Sequence, residues 1–563
     1  MDLKKKKLGD ILVEANKITK EQLKSALNKQ KSKGKKLGEI LIDEKIITEE
    51  NIMEAISQQL GIKKVDINMI NINKEAIKVI PEKLALKHLL VPIGFKDNKI
   101  QVAMWDPLNI FAIDDVKIVS GYDVEPFVAT RQEIKRAIER YYIDQYVQEV
   151  AQELRRENKK DIKEKEIENI EFDDIKNAPV VKILDSLIQN AIQSRASDIH
   201  IEPFDELVKI RYRIDGELQQ ISTISKDSLV PLVTRIKILA NLDIAEKRIP
   251  QDGRILKKIN KKEIDLRVST LPTVFGEKVV IRILNRENYL IGKDKLNMEK
   301  EDIEKIEKII KSPHGIILVT GPTGSGKSTT LYTLLNDLND SKNNIVTIED
   351  PVEYVLQGVN QVNVNTKAGL TFANGLRSIL RQDPDIIMIG EIRDRETAEI
   401  AIRAAITGHL VLSTIHTNDS ASSIIRLKDM GVMPYLISTS LSGVISQRLV
   451  RKICPYCIES HEANEQEKDI LDINKNKKLM LYKGQGCGYC KNTGYIGRTG
   501  VFEIMEIGRE HVEMIMQNKS SDDLQELSIK NGMKTIKMSC RELVLKGQTT
   551  LEEFLKIAYL RDF

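Results

Sequence analysis

A chain of 563 residues is long enough for several domains, each with an apolar core of its own. Its 87 basic and 83 acidic side chains leave a formal charge of +4 with both signs mixed, so nothing marks the whole chain as a nucleic-acid binder. No apolar run reaches the length of a membrane span, and Met1 to Lys7 lacks the apolar stretch of a signal peptide, so a cytoplasmic protein is expected.

Residues 8 to 30 recur 29 positions later at residues 37 to 59. Leu8, Gly9, Ile11, Leu12, Ile18, Thr19, Ala26 and Gln30 fall on Leu37, Gly38, Ile40, Leu41, Ile47, Thr48, Ala55 and Gln59. Two units are too few for a solenoid, so residues 1–62 are expected to form a helical pair closed on itself. Thr19, followed by Gln22, and Thr48 are the expected helix starts. Each copy resembles the tandem motif of the MshEN module, found at the N-terminus of some pilus and secretion ATPases, which binds cyclic di-GMP. The resemblance implies a ligand role for Lys7, Leu8, Gly9, Gln30, Lys36, Leu37, Gly38 and Gln59. It departs from the motif at Lys7 and Lys36, where Arg is usual, and at Asn16 and Lys45, where Gly is usual. Lysine offsets phosphate charge but cannot grip two oxygens with a planar fork. A module that only docks on a partner is the alternative.

Residues 63–145 mix short apolar strands with helical runs and read as a small α+β unit without evident chemistry. Residues 146–177 are charged, lack glycine and read as a linker. A second α+β domain is expected over 178–290. There Val180, Val181, Leu184, Leu187, Ile188, Ala191 and Ile192 fall at helical spacing, and Val208, Ile210, Tyr212 and Ile214 alternate with Lys209, Arg211 and Arg213 before Asp215-Gly216. Arginines recur on such strands or beside turns, at Arg213, Arg254, Arg267 and Arg282. A solvated sheet face explains them, and so does supply of positive charge to a leaving phosphate in a neighbouring subunit.

The expected core, 291–450, is organised around Gly321, Pro322, Thr323, Gly324, Ser325, Gly326, Lys327, Ser328 and Thr329. The apolar run Ile316 to Val319 precedes this stretch, and Ser328 to Leu338, free of Gly and Pro, follows it. Strand, G-x-x-x-x-G-K-[ST], helix is the context of a phosphate-binding loop. Glycines let several backbone N–H groups point at one set of phosphate oxygens beside a helix N-terminus. Lys327 is then expected on the β and γ phosphates, and the Ser328 hydroxyl on Mg²⁺.

Three further strands are expected at 344–348, 385–389 and 410–415, each ending in polar residues. Carboxyl ends of parallel strands converge on the crevice where α/β folds bind ligands. Glu391 closes a Walker B pattern, Glu353 and Glu349 are the other candidates to take a proton from water, and His409 and His416 bracket the third strand as a candidate γ-phosphate sensor.

Together Thr347-Ile-Glu-Asp-Pro-Val-Glu353, Leu380 to Asp394, Thr407 to Thr417, Ser197-Asp-Ile-His-Ile-Glu-Pro203 and Arg211-Tyr-Arg-Ile-Asp-Gly216 resemble the motifs of the PilB/GspE family. The resemblance covers residues 180 to 505. It implies a multidomain α/β protein with a RecA-like P-loop ATPase core, a preceding α+β (PAS-like) domain, a tetracysteine zinc insert and a helical N-terminal module. It further implies a homohexamer at the inner face of the cytoplasmic membrane, with Arg213, Arg254 and Arg267 reaching a site shared between subunits.

Within 451–500, Cys454 and Cys457 are separated by 29 residues from Cys487 and Cys490. Four thiolates in two such pairs suit structural Zn²⁺, with redox chemistry as the alternative, and the charged stretch Glu459 to Lys478 is expected to loop out as a loop or helical arm. The resemblance agrees, since assembly ATPases of the family often carry this insert and retraction ATPases lack it. Cys540 is expected to be an ordinary buried thiol, and 501–563 to be helical. The expected function is thus an ATPase that drives a membrane platform protein to extend a type IV pilus. Type II secretion through a pseudopilus is the alternative. A DNA translocase and a predominantly cyclic di-GMP-sensing protein are the more distant readings.

Overall fold

The structure, a computed structural model, describes residues 8–142 and 179–559, apart from 16, 34–36, 45, 71, 108, 260–261, 286–291 and 293–295. The expected linker 146–177, together with Lys7, Asn16, Lys36 and Lys45, lies outside the described residues, as do the side chains of Leu8 and Gln59. The chain divides into two compact units. No helix among the described residues is long and apolar enough to cross a membrane.

In the first unit the repeat forms four helices, α1 (Leu8–Glu14), α2 (Lys20–Lys33), α3 (Leu37–Asp43) and α4 (Glu49–Leu60). Thr19 and Gln22 exchange bonds at the start of α2, at 2.8 and 3.2 Å, and Thr48 accepts the Asn51 N–H at 3.3 Å before α4. Both expected starts are therefore capped. Leu12, Ile18 and Ala26 of the first copy and Leu41, Ile47 and Ala55 of the second share one core. Gly9 has a packing reason, since a Cβ there would come 2.5 Å from Leu23 Cδ1.

The three-stranded sheet β1 (Leu90–Lys96), β2 (Lys99–Met104) and β3 (Asp123–Val128) follows. Val128 enters the repeat's core, and Glu49 of α4 accepts bonds from Trp105 Nε1 and the Arg131 N–H, each at 2.8 Å. Repeat and sheet thus share buried contacts.

A six-stranded sheet follows, ordered β6-β5-β4-β9-β8-β7. It comprises β4 (Ala196–Pro203), β5 (Leu207–Ile214), β6 (Glu217–Ser225), β7 (Gln251–Ile259), β8 (Lys262–Thr273) and β9 (Gly276–Asn285). The alternation read for β5 holds: Val208, Ile210, Tyr212 and Ile214 are buried. Asp215 and Gly216 both take positive φ, 49° and 92°, as a two-residue hairpin turn requires.

The second unit is built on a seven-stranded sheet ordered β12-β11-β13-β14-β10-β15-β18. Its strands are β10 (Gly315–Thr320), β11 (Ile345–Glu349), β12 (Asn360–Asn363), β13 (Ile386–Ile389), β14 (Leu410–Ile415), β15 (Leu441–Ile453) and β18 (Tyr495–Glu506). All neighbours are parallel except β18, which runs antiparallel to β15. β10, β11, β13 and β14 are buried along their whole length, because apolar clusters cover both faces. Residues 501–506, expected to be helical, instead complete β18 as the sheet's antiparallel edge; the helices begin at Arg509.

Candidate functional site

The phosphate loop joins β10 to the helix Lys327–Leu338. Gly321, Gly324 and Gly326 have φ of 142°, 80° and 87°, which side chains rarely tolerate. Space is equally restrictive: a Cβ on Gly321 would strike the Gln447 carbonyl, and one on Gly326 would come 2.9 Å from Gln447 Nε2. Lys327 folds back over the loop, its Nζ donating to the Gly321 and Pro322 carbonyls at 2.8 and 3.0 Å. Burial pushes its pKa down, and Glu391 opposes that. These acceptors are neutral, so the ammonium is stored ready for an anion. Ser328 occupies the first turn of the helix, where a hydroxyl would suit Mg²⁺.

Glu391 follows β13. It pairs with Arg393 at 2.7 Å and faces His416 Nε2 at 3.4 Å, with 15% of its side chain exposed. Pins to the neighbouring strands hold this corner: Thr414 donates to Gly390 O at 2.7 Å, and the Thr417 N–H donates to Thr320 Oγ1 at 2.9 Å. Lys327, Glu391 and His416 thereby converge at the carboxyl edge of the sheet.

One expected site residue is placed elsewhere, and another is at the site but closed off. His409 precedes β14 at the opposite edge, about 20 Å from His416 by the rise of a six-residue strand. There its Nδ1 lies 2.8 Å from Ala404 O, and its carbonyl accepts the Gly315 N–H at 3.1 Å, so it closes a helix-to-strand turn. Strand direction thus separates the two expected histidines, and only His416 stands at the edge that holds Lys327 and Glu391. Glu349 stands at the correct edge but is 4% exposed and surrounded by donors. Thr347 and Gln361 donate to its Oε1 at 2.6 and 3.1 Å, and the Tyr332 hydroxyl donates to Oε2. Burial, and then the Glu349 charge, push the Tyr332 pKa up. Glu349 is therefore a buried structural carboxylate rather than a base open to water. Glu353 lies in the loop after β11, half-buried.

Arg213, Arg254 and Arg267 belong to the six-stranded sheet of the other unit. Arg213 lies 3.7 Å from Asp198 and donates to Gly216 O at 2.8 Å; Arg254 is exposed and Arg267 half-buried. The same face holds Arg282 on Asp198 at 3.0 Å, and Arg211 and Lys278 on Glu202 at 2.6 and 2.8 Å.

Sequence reading missed Gln447. On β15, 2% exposed, it backs the loop and accepts the Thr330 hydroxyl at 2.6 Å. Nothing local marks it out, since β15 also carries Ser442, Ser446, Arg448, Arg451 and Lys452.

The sulfur atoms of Cys454, Cys457, Cys487 and Cys490 lie within 4.8 Å of one another, and three of these residues are buried. This closed four-thiol set fits a tetrahedral metal ion. The stretch expected to loop out forms a hairpin, β16 (Ile458–Glu462) and β17 (Met480–Gly484), around the short helix Glu465–Ile470. Cys540 is separate and wholly buried, which pushes its thiol up to about 12.

The family model described as "Type II/IV secretion system protein" matches residues 173–556, and the MshEN domain model matches 60–146. The MshEN match thus falls on the three-stranded unit that follows the repeat, while the resemblance read from the sequence rests on the repeat itself. The Type IV pilus assembly ATPase PilB of Myxococcus xanthus is 41% identical over 557 residues, covering 97% of this chain and 98% of the relative. The Type II secretion system protein E of Pseudomonas aeruginosa is 47% identical over 381 residues, 68% of this chain and 76% of the relative. The solved structure of the Legionella pneumophila ATPase DotB has a TM-score of 0.50 at 20% identity, covering 67% of this chain and 95% of that one, a likeness of fold. The chain therefore belongs to the Type II/IV secretion system protein family.

Proposed function

We propose that the chain is the motor ATPase of type IV pilus assembly. The observation that carries this reading is the match to a pilus assembly ATPase over 97% of the chain, from the N-terminal repeat to the four-cysteine segment. Lys327 exchanges the Gly321 and Pro322 carbonyls for the β and γ phosphates of ATP. Ser328 would hold Mg²⁺, which when bound neutralises charge on the phosphate oxygens. Of the three glutamates, Glu391 and Glu353 remain to take the proton of the attacking water, and His416 completes that corner. Arg213, Arg254 and Arg267 act on the site of a neighbouring subunit in a homohexamer. The four cysteines hold Zn²⁺, and the N-terminal repeat answers cyclic di-GMP through the residues implied above. The protein works in the cytoplasm against an inner-membrane platform protein, converting hydrolysis into domain motion that adds pilin subunits.

The test is electron microscopy of a strain carrying Lys327→Ala beside the wild type. Purified Lys327→Ala is expected to lose hydrolysis by about a hundredfold or more, and the strain its surface filaments. A second reading, type II secretion, draws on the relatives of that name, one of them 41% identical over 88% of the chain. It predicts filaments that persist while proteins disappear from the medium.

A further inference from the structure

Lys327 is not alone at the root of the phosphate loop. β15 runs beside β10 with Thr320 opposite Ser446, so Gln447 and Arg448 come just past the end of β10, where the loop begins. Gln447 turns towards the loop's helix. Arg448 turns the other way and meets the segment after β14, its Nη2 donating to Asn418 Oδ1 at 3.0 Å and to Asn418 O at 3.4 Å. That segment is itself tied to the loop's root through the Thr417 and Thr320 hydroxyls, 2.7 Å apart. Arg448 is thus fixed between the phosphate loop and the His416 loop.

Its guanidinium is half-buried, yet among the described residues no carboxylate lies within ion-pair distance of it or of Lys327. Some half-buried arginines elsewhere are clasped by carboxylates. Arg451, three residues along the same strand, is clasped by Glu552 and Glu553 at 3.1 and 2.8 Å, and Arg211 by Glu202 at 2.6 Å. Asp419 acts on Arg448 only through space, its Oδ1 being held by the Ser422 N–H at 2.7 Å as a helix cap. Burial lowers the proton affinity of both cations, and the field of Arg448 adds to that effect at Lys327. Two partly desolvated cations resting on neutral acceptors cost free energy unless an anion comes to them.

We propose that Arg448 is a phosphate-binding residue of this chain's own ATP site, exchanging Asn418 for oxygens of the nucleotide's phosphate chain alongside Lys327. Arginine suits the task because its planar fork can hold two oxygens at once. The role differs from that given to Arg213, Arg254 and Arg267, which serve a neighbour, and it rests on the ATP reading above.

The test is equilibrium binding of ATP and ADP to the purified full chain, wild type against Arg448→Gln, Arg448→Lys and Asn418→Ala. Arg448→Gln is expected to raise Kd for both nucleotides about tenfold or more, and Arg448→Lys to raise it severalfold. Asn418→Ala only frees the guanidinium, so its Kd should be unchanged or lower. A wild-type Kd in Arg448→Gln overturns the proposal. So does an Asn418→Ala chain as weak as Arg448→Gln, which would make the pair a structural clip. Should Arg448→Gln not fold, Arg448→Lys decides: a Kd within twofold of wild type rejects the two-oxygen contact. A wild-type chain that binds no ATP would instead overturn the ATP reading itself.

Discussion

Strand β14 carries a histidine at each end, and the two ends of the sheet treat them differently. At the carboxyl edge His416 is 46% exposed and faces Glu391, beside a lysine stored on neutral carbonyls. At the amino edge His409 has its ring nitrogen on a backbone oxygen and its own carbonyl on a backbone N–H. One edge gathers charged groups, with Lys327 held only by neutral carbonyls, and the other uses its polar groups up in turns. In a parallel sheet all strands deliver their carboxyl ends to one side, so chemistry gathers there and closure gathers opposite. Glu349 adds a second condition, since it lies at the chemical edge but is fully occupied by Tyr332, Thr347 and Gln361.

The largest effect expected from this contrast is at Glu391. Glu391→Gln keeps shape and removes charge, so ATP hydrolysis by the purified chain should fall by about 10² to 10⁴-fold while nucleotide binding persists. A variant that hydrolyses normally would leave Glu353 as the one carboxylate able to act. His416→Ala comes next, with kcat expected to fall by about 10- to 100-fold and KM to move less. An unchanged kcat would mean that proximity to Glu391 is incidental.

Glu349→Gln should act on stability instead of rate. An amide group offers one acceptor where the carboxylate offers two, so the Tyr332, Thr347 and Gln361 donors cannot all stay paired. A buried donor left unpaired costs about 1–3 kcal/mol. Urea unfolding should show that loss, while kcat per folded molecule stays within a few fold of wild type. A collapse of kcat without loss of stability would return Glu349 to the list of bases.

Much of this site was legible before the fold was known, for a physical reason. The loop, its lysine and the strand before it are contiguous in sequence, because a phosphate cradle needs strand, glycines and helix in immediate succession. The buried parallel strands showed as unbroken apolar runs because both faces are covered. The repeat was legible because equivalent positions, such as Leu12 and Leu41, enter one core. What stayed hidden depends on contacts distant in sequence. Gln447 lies 126 positions after Gly321 yet backs it, and no local pattern announces that. Glu349 ends one apolar strand and Glu391 follows another, and the approach of Tyr332, Thr347 and Gln361 separates the fully occupied carboxylate from the half-buried one. The second half of β18, residues 501–506, was misread as helical for the same reason, since its partner β15 is what makes it a strand.

His409→Ala should give the smallest effect and the cleanest test of the contrast. The substitution removes the ring's bond to Ala404 O but leaves both backbone bonds of residue 409, so the turn into β14 survives. One net hydrogen bond at a half-exposed position contributes about 0.5–1.5 kcal/mol. The unfolding midpoint should therefore shift slightly, with kcat and KM within twofold of wild type. Measured beside His416→Ala, the pair separates two explanations that a single variant cannot. If only His416→Ala slows turnover, strand direction sorts the histidines, and the amino edge of the sheet is scaffold. If His409→Ala slows turnover as deeply while its unfolding midpoint barely moves, the amino edge takes part in hydrolysis, and the reach of a single subunit's carboxyl edge is too narrow a description of the site.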